Sequence, residues 1–192
     1  MAAAAGVTDA RASQVMHKLQ ERGLVEKTGD GWRAARDELL EAFLAEYRGP
    51  GGTEVLFYSL DDPRDTAAEI VDRVLSSTRG QRPASIAISA DVGPDLIVHW
   101  RRPSKLVAYI NDQTNIDLTD LTPAPDRASA NLLIRFPDDG SVFRHHMLAG
   151  DLDGIEVPLA AESQMIWDLH DLGGEDRAEA ARHLGEWLTK SR

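Results

Sequence analysis

The chain has 192 residues, of which 42% are hydrophobic and 28% charged, and this composition suits one medium domain or a small domain joined to a larger one. It excludes a disordered, fibrous or repeat-built protein, and the absence of cysteine excludes disulfides, thiolate zinc sites and thiol nucleophiles. No apolar run approaches the roughly 20 residues that cross a bilayer, and residues 1–6 lack the features of a secretory signal. We therefore expect a cytoplasmic protein without membrane contact.

The net charge of −11 is distributed unevenly along the chain. A negative protein lacks the overall basic footprint that is typical of nucleic-acid binding. Residues 1–36, however, carry six basic against four acidic side chains, a balance of +2, so the remaining 156 residues carry −13. The acidic charge belongs to the second part of the chain, and the first part is mildly basic.

The first segment predicts a turn followed by a helix. Gly6 permits the bend, and Thr8 can cap the free amides of a helix that should start near Asp9. Apolar side chains recur at spacings of four and three, while polar ones occupy another face. The apolar stripe consists of Ala12, Met16 and Leu19, and the polar face of Arg11, Gln14 and Lys18. Gly23 stands where a left-handed cap ends such a helix.

A β-hairpin is predicted after this helix. Residues 24–28 have an extended pattern, Gly29-Asp30-Gly31 tolerates the positive φ angles of a hairpin turn, and residues 32–34 can form the returning strand. This order, with a Leu-x-x-x-Gly-Leu-Val joint at 19–25, resembles the second half of a winged helix-turn-helix. In such domains the recognition helix lies in the major groove of DNA and the wing contacts the backbone.

The resemblance to a winged helix-turn-helix implies which side chains would face double-stranded DNA. They are Thr8, Arg11, Ser13, Gln14 and Lys18 on the helix, with Lys27 and Arg33 flanking the wing. Arg11 and Gln14 would read base edges, and the other basic side chains would hold phosphates. A complete domain has two helices before its recognition helix, and only residues 1–5 precede this one, so we expect an incomplete domain. The alternative is an amphipathic packing unit or a protein-docking module without DNA contact.

The second part of the chain predicts an α+β domain. Residues 36–47 suit a connecting helix, which residues 48–52 end, so we place a partial winged domain at 1–48 and the α+β domain at 53–192. Apolar runs alternate with helical patterns in the second domain. They predict a mixed sheet with strands at 55–60, 85–89, 106–110, 132–136 and 155–157, and helices at 66–75 and 94–100. Two closing helices, separated by Gly173-Gly174, should form a helical hairpin.

Two stretches of the second domain carry a family resemblance. One is the predicted helix ending in Trp100-Arg101-Arg102-Pro103 and running into the strand at 106–110. The other contains Val157-Pro158-Leu159, Gln164, Asp168-Leu169, Gly173-Gly174 and an Ala-rich helix at 177–184. With the winged segment, they resemble the AbiEi family, the antitoxin and transcriptional regulator of type IV toxin-antitoxin systems. The resemblance implies an antitoxin that represses its own operon and counters a nucleotidyltransferase-like toxin, without requiring a direct complex with that toxin.

One motif offers an enzymatic alternative. Gly140-Ser141, followed after nine residues by Asp151 and Asp153, matches the spacing of metal-dependent nucleotidyltransferases, in which paired carboxylates hold magnesium. Residues 137–140 are, however, more typical of a hairpin turn, and a short motif without its structural context is weak. We keep nucleotide transfer as the alternative function.

Other candidate pairs favour structural roles. His145-His146 would point to opposite faces of a strand and grip one metal poorly. Arg101-Arg102 could bind phosphate, but capping the preceding helix and offsetting the acidic charge explains them more simply. No Gly-x-Ser-x-Gly elbow supports a hydrolase. We therefore predict no catalytic residue, no metal site and no cofactor.

Overall fold

The computed structural model describes residues 2–77, 86–111, 116–143, 149–152 and 154–190. The chain divides into two compact units, Met1–Tyr47 and Arg48–Arg192. The fold is α+β, with a mixed five-stranded sheet, smaller two-stranded sheets and a closing helical hairpin, so the predicted fold class is confirmed. Among the described residues, no helix is both long and apolar enough to cross a membrane.

The first unit is a short helical segment with one hairpin. Its elements are α1 (Ala2–Ala5), α2 (Asp9–Glu21), β1 (Val25–Thr28), β2 (Gly31–Ala34) and α3 (Arg36–Glu46). β1 and β2 are antiparallel, and Gly29-Asp30 forms the two-residue turn between Thr28 and Gly31. The apolar stripe of α2 is only half-buried, and none of the described residues of α2 or α3 is fully buried. The apolar core of this unit is therefore thin.

The second unit is built on the five-stranded sheet. Its elements are β3 (Thr53–Tyr58), α4 (Pro63–Ser77), β4 (Ile86–Ala90), α5 (Val92–Ile97), β5 (Leu106–Ile110), β6 (Thr122–Pro123), β7 (Leu132–Phe136), a 3₁₀ turn (Gly140–Phe143), β8 (Ala149–Leu152), β9 (Ile155–Pro158), α6 (Glu162–Leu172) and α7 (Glu175–Lys190). The sheet order is β4-β5-β7-β3-β6. β5 and β7 are parallel, and the other neighbours are antiparallel.

The sheet is covered on both faces, which explains why its central strands are mostly apolar and largely buried. Side chains alternate between the faces of a strand. One face packs against α4, whose buried side chains are Ala67, Ile70, Val71 and Val74. The opposite face, which includes Ser89, Tyr109 and Arg135, meets α6. All five residues of β4 and of β5 are consequently buried.

Three local predictions differ from the structure. The helix predicted at 94–100 spans Val92–Ile97, because Val98 adopts an extended conformation and residues 98–105 form a connection before β5. The strand near 155–157 exists, but it pairs with β8 in a separate ribbon instead of joining the main sheet. Residues 137–140 are not a hairpin turn, because β7 pairs with β3 and β5 and the chain enters a 3₁₀ turn at Gly140.

The closing helices form the predicted helical hairpin. α6 buries Met165, Ile166 and Leu169, and α7 buries Ala181 and Leu184. Gly173 and Gly174 between them have φ angles of 70° and 99°, which residues other than glycine rarely adopt. The double glycine therefore lets the chain reverse direction within two residues.

Candidate nucleic-acid interface

The start of α2 is organised by a side-chain cap. Thr8 has an extended backbone, and its hydroxyl accepts a hydrogen bond from the amide of Arg11 at 3.3 Å. Asp9 in the first turn adds negative charge at the positive end of the helix dipole. At the other end Gly23, with φ of 75°, donates to the carbonyl of Gln20 at 2.9 Å. These local interactions fix both ends of the helix as the sequence predicts.

Three of the predicted DNA-facing side chains share one exposed stripe of α2. Arg11, Gln14 and Lys18 lie at spacings of three and four, which stacks them along a single helix face. This face points away from the half-buried stripe of Ala12 and Met16. None of the three side chains forms an ion pair or a side-chain hydrogen bond with a described residue. Their donors and acceptors are free for an external ligand.

Ser13 and Thr8 do not join this stripe. Ser13 is exposed, but it follows Ala12 and precedes Gln14 on the helix, about 100° around the axis from each. It therefore faces a different direction from Arg11 and Lys18. Thr8 is also exposed, and its hydroxyl already accepts the capping hydrogen bond. Its role within the described residues is to start the helix.

The hairpin places the two predicted wing residues on opposite faces. Directly opposite residues in an antiparallel pair share a face, and the register pairs Lys27 with Trp32 and Arg33 with Glu26. Lys27 is exposed, whereas Arg33 donates to the Glu26 carboxylate at 2.9 Å. Trp32 meets the ring of His17 on α2 edge-on, with 6.1 Å between centroids. The structure thus separates Lys27 from Arg33, which the sequence treats as one group.

The first unit also has an open apolar groove of about 320 Å³. Leu19 and Leu24 line one part, and Leu39, Phe43 and Tyr47 of the α3 region line another. The guanidinium of Arg22 pairs with the carboxylate of Glu46 beside it. The groove remains open because the apolar side chains of α2 and α3 are only partly buried.

The second unit contains a buried polar network between α6 and the sheet. Asp168 of α6 is fully buried and accepts hydrogen bonds at 2.6 Å from both Arg135 and the hydroxyl of Tyr109. Ser89 also donates to this carboxylate, and Gln164 donates to the Tyr109 hydroxyl at 2.9 Å. Burial raises the pKa of Asp168 to about 6, although the Arg135 guanidinium and the hydrogen-bond donors oppose the rise. The network ties α6 to three strands of the sheet.

A second buried carboxylate joins α5 to α7. Asp91 accepts hydrogen bonds from Arg177 at 2.8 and 3.0 Å, from the hydroxyl of Ser104 at 2.9 Å and from the backbone amide of Lys105 at 3.0 Å. Burial by itself would raise the pKa of Asp91, but the guanidinium and Ser104 outweigh it and hold that pKa below its ordinary value. Ala90, in a left-handed conformation with φ of 59°, turns the chain just before this aspartate.

The arginine pair at 101 and 102 offsets acidic side chains, as predicted, but it does not cap the preceding helix. Arg101 pairs with Asp176 of α7 and donates to Ser104 at 3.2 Å. Arg102 donates to the Asp62 carboxylate at 2.8 Å. The prediction was wrong about the cap because α5 ends earlier, at Ile97, and both guanidinium groups reach acidic side chains of other elements instead.

The candidate metal motif is described by the structure only in part. Asp151 is exposed on β8, opposite Glu156, and its carboxylate accepts from the Gly154 amide at 3.1 Å. Ser141 lies in the 3₁₀ turn, where its amide donates to Asp139 at 2.8 Å. Asp153 and His145-His146 lie outside the described residues. Within the part of the chain that the structure describes, no group of three or more acidic or histidine side chains is arranged to hold a metal.

The second unit contains a cleft that the sequence does not predict. Arg48, Arg127 and Arg135 all line it, although 79 and 8 residues separate them along the chain. Such long separations leave no local spacing pattern to detect. The one sequence feature that pointed to this cleft was the glycine-rich segment after Arg48, but such a segment is equally typical of a linker between domains. Comparisons of the chain with protein-family models, curated proteins and solved structures found no match.

Proposed function

We propose that this chain is a DNA-binding transcriptional regulator whose first unit contacts double-stranded DNA through α2 and the adjoining hairpin. The supporting observation is the exposed stripe of Arg11, Gln14 and Lys18, which has no ionic partner among the described residues. Arginine and glutamine are the side chains that read guanine and adenine edges in the major groove, and lysine holds phosphate. The stripe combines both kinds of contact on one helix.

The charge distribution supports the same assignment. The first 36 residues, which include α2 and the hairpin, are positive by two charges, although α3 adds Asp37, Glu38, Glu41 and Glu46 and makes the whole first unit negative by two. Among the described residues of the second unit, most arginines are engaged by carboxylates, as for Arg135 with Asp168 and Arg177 with Asp91. The stripe on α2 therefore offers unpaired positive charge where a polyanion can approach it.

The regulator would be of antitoxin type and would act in the cytoplasm, where operator DNA lies. This part of the proposal draws on the resemblance to the AbiEi family described above, which implies autorepression of a toxin-antitoxin operon. Arg11 and Gln14 would read bases, and Lys18 and Lys27 would contact phosphates. Arg33 would add a weaker phosphate contact, because Glu26 already occupies its guanidinium.

The test is binding of the full chain to the DNA that precedes its own gene, measured by fluorescence anisotropy over a salt series. Arg11→Ala should weaken specific binding by about 1 to 3 kcal/mol, because a base contact is lost. Lys18→Ala should lower affinity for all sequences alike and reduce the salt slope by about 1, because one phosphate contact is lost. Thus the two variants separate base reading from phosphate binding.

Gln20→Ala is the matched control for Gln14→Ala. Both glutamines are exposed on α2, but Gln20 lies about 120° around the helix from Gln14, on a different face. Gln14→Ala should change specificity, and Gln20→Ala should leave affinity unchanged. Equal affinities of the wild type for operator and random DNA, with normal folding, would contradict the proposal. That result would favour the protein-docking alternative, for which the apolar groove of the first unit would be the candidate surface.

A further inference from the structure

The cleft in the second unit, here called the arginine cleft, has a volume of about 220 Å³. Its lining includes the glycine-rich segment 49–52, the carboxylates Glu54 and Asp171, and three arginines, Arg48, Arg127 and Arg135. One water molecule occupies about 30 Å³ of liquid, so the cleft has room for a small molecule and not merely for a single water. It opens to solvent beside the glycine-rich segment.

Glycine is sterically required at two positions in the wall of the cleft. A Cβ atom at Gly49 would lie 2.6 Å from the Trp167 ring, and one at Gly52 would lie 1.9 Å from the backbone oxygen of Phe136. Both residues also have positive φ angles, 89° and 87°. Only glycine permits this close packing, and it leaves the backbone exposed along one side of the cleft.

Most charged side chains at the floor of the cleft form ion pairs with one another. The buried guanidinium of Arg135, only 7% exposed, donates to Glu54 at 2.7 Å and to Asp171 at 2.6 Å. Arg127 donates to the same two carboxylates, at 2.8 Å to Glu54 and 2.9 Å to Asp171. Glu54 and Asp171 are therefore held by two arginines each, and the arrangement keeps Arg127 in place.

Hydrogen-bond donors, rather than net positive charge, are left over after these pairs are counted. The lining carries three arginines and two carboxylates, and Asp168, which Arg135 also contacts, supplies a third carboxylate. Arg48 is exposed and bonds to no described residue, and Nη1 of Arg127 likewise has no acceptor among the described residues. The amides of Gly49 and Gly51 also donate to no described residue. Guanidinium groups and glycine amides together are the donors that bind phosphate oxygens in proteins.

We propose that the arginine cleft binds a small phosphate-bearing anion, held by Arg48 and Nη1 of Arg127 with the glycine-segment amides as further donors. Arg135 is a positioning residue in this site, because all of its contacts go to protein groups and it orients the carboxylates that hold Arg127. Phosphate is favoured over a carboxylate because its several oxygens can engage two guanidinium groups at once. The site is independent of the DNA interface on α2.

The test is a titration of the full chain with inorganic phosphate, followed by ³¹P NMR linewidth at constant ionic strength. Saturable broadening is expected at millimolar phosphate. Arg48→Ala should weaken the apparent affinity by about tenfold, the loss of one charge-assisted contact, and should fold normally because Arg48 has no described partner. Arg182→Ala is the control, since this exposed arginine on α7 pairs only with helix neighbours and should leave the titration unchanged.

A second arm uses a nucleoside 5′-monophosphate in competition with inorganic phosphate. Tighter binding of the nucleotide would identify it as the ligand class, and equal binding would show that the phosphate group alone is recognised. Absence of saturable broadening in the wild type, or equal affinity in Arg48→Ala, would overturn the proposal. Arg11→Ala should bind phosphate like the wild type, so failure of the DNA-binding proposal is distinguishable from failure of this one.

Discussion

The two units of this chain place their charged side chains in different surroundings. In the first unit, Arg11 and Lys18 project into solvent from a helix without a fully buried residue. In the second unit, Asp168 and Asp91 are buried and each is matched by an arginine. Charged side chains of α2 in the first unit are thus exposed and unpaired among the described residues, whereas buried charged side chains in the second unit stabilise the fold. Substitutions should therefore affect binding in the first unit and stability in the second.

The largest expected effect is at Asp168. Asp168→Ala removes one of the three carboxylates that hold the buried Arg135 guanidinium and leaves the buried hydroxyls of Ser89 and Tyr109 without this acceptor, so the free energy of unfolding should fall by about 3 to 5 kcal/mol. Urea unfolding followed by tryptophan fluorescence measures the change. Glu186→Ala, which removes only exposed pairs on α7, is the control and should change stability by less than about 0.5 kcal/mol. Equal losses in the two variants would contradict the distinction between buried and exposed charge.

An intermediate, pH-dependent effect is expected at Asp91. Its pKa lies below the ordinary value in the folded protein, so its ionised form stabilises the fold above about pH 4, the unfolded pKa, and this contribution is lost as pH falls through the folded pKa. Asp91→Asn removes the charge but keeps an amide oxygen as acceptor, so it should lower the free energy of unfolding by about 2 kcal/mol at pH 7, the size of a hydrogen bond to a charged group. Unfolding measured from pH 7 down to pH 3 should show the two proteins converging. A difference that stays constant with pH would rule out the charge as its cause.

The smallest expected effect on stability is in the first unit, at the cap of α2. Thr8→Ala removes the hydroxyl that accepts the Arg11 amide, which should destabilise the start of the helix by about 1 kcal/mol. Hydrogen exchange of the amides in the first turn of α2 should become faster, while amides of β4 and β5 keep their protection. Thr8→Ser retains an acceptor and should exchange like the wild type. Faster exchange throughout the chain would show that the cap stabilises more than this helix.

Local patterns predicted most of the elements. The cap at Thr8 and the double glycine at 173 and 174 depend on interactions within a few residues, and both were found as expected. The predicted end of α5 was wrong, because Val98 adopts an extended conformation within a stretch whose sequence pattern is typical of a helix. The strand near 155–157 was placed in the wrong sheet, since its pairing with β8 is not visible in its own residues.

The candidate sites also divide into features that local sequence patterns predict and features that depend on contacts between distant residues. Helical spacing alone puts Arg11, Gln14 and Lys18 on one face, and the structure keeps that face exposed. Lys27 and Arg33 lie on opposite faces because of the strand register, which pairs Lys27 with Trp32 and Arg33 with Glu26. The alternation of side chains along each strand would have predicted this separation once the turn at Gly29-Asp30 was placed. The arginine cleft was missed because its residues come from a linker, a loop and a central strand.

The amino-acid sequence by itself determined where most of the helices and strands lie and that basic side chains outnumber acidic ones over residues 1–36. Those properties depend on side-chain periodicity, capping and composition, which act over short distances along the chain. Only the tertiary structure decided which charges are matched. Asp168 meets Arg135, 33 residues away, because α6 packs on one face of the sheet, and Arg127 meets Glu54 across 73 residues. A charge that looks available in the sequence is free only where folding brings no opposite charge beside it.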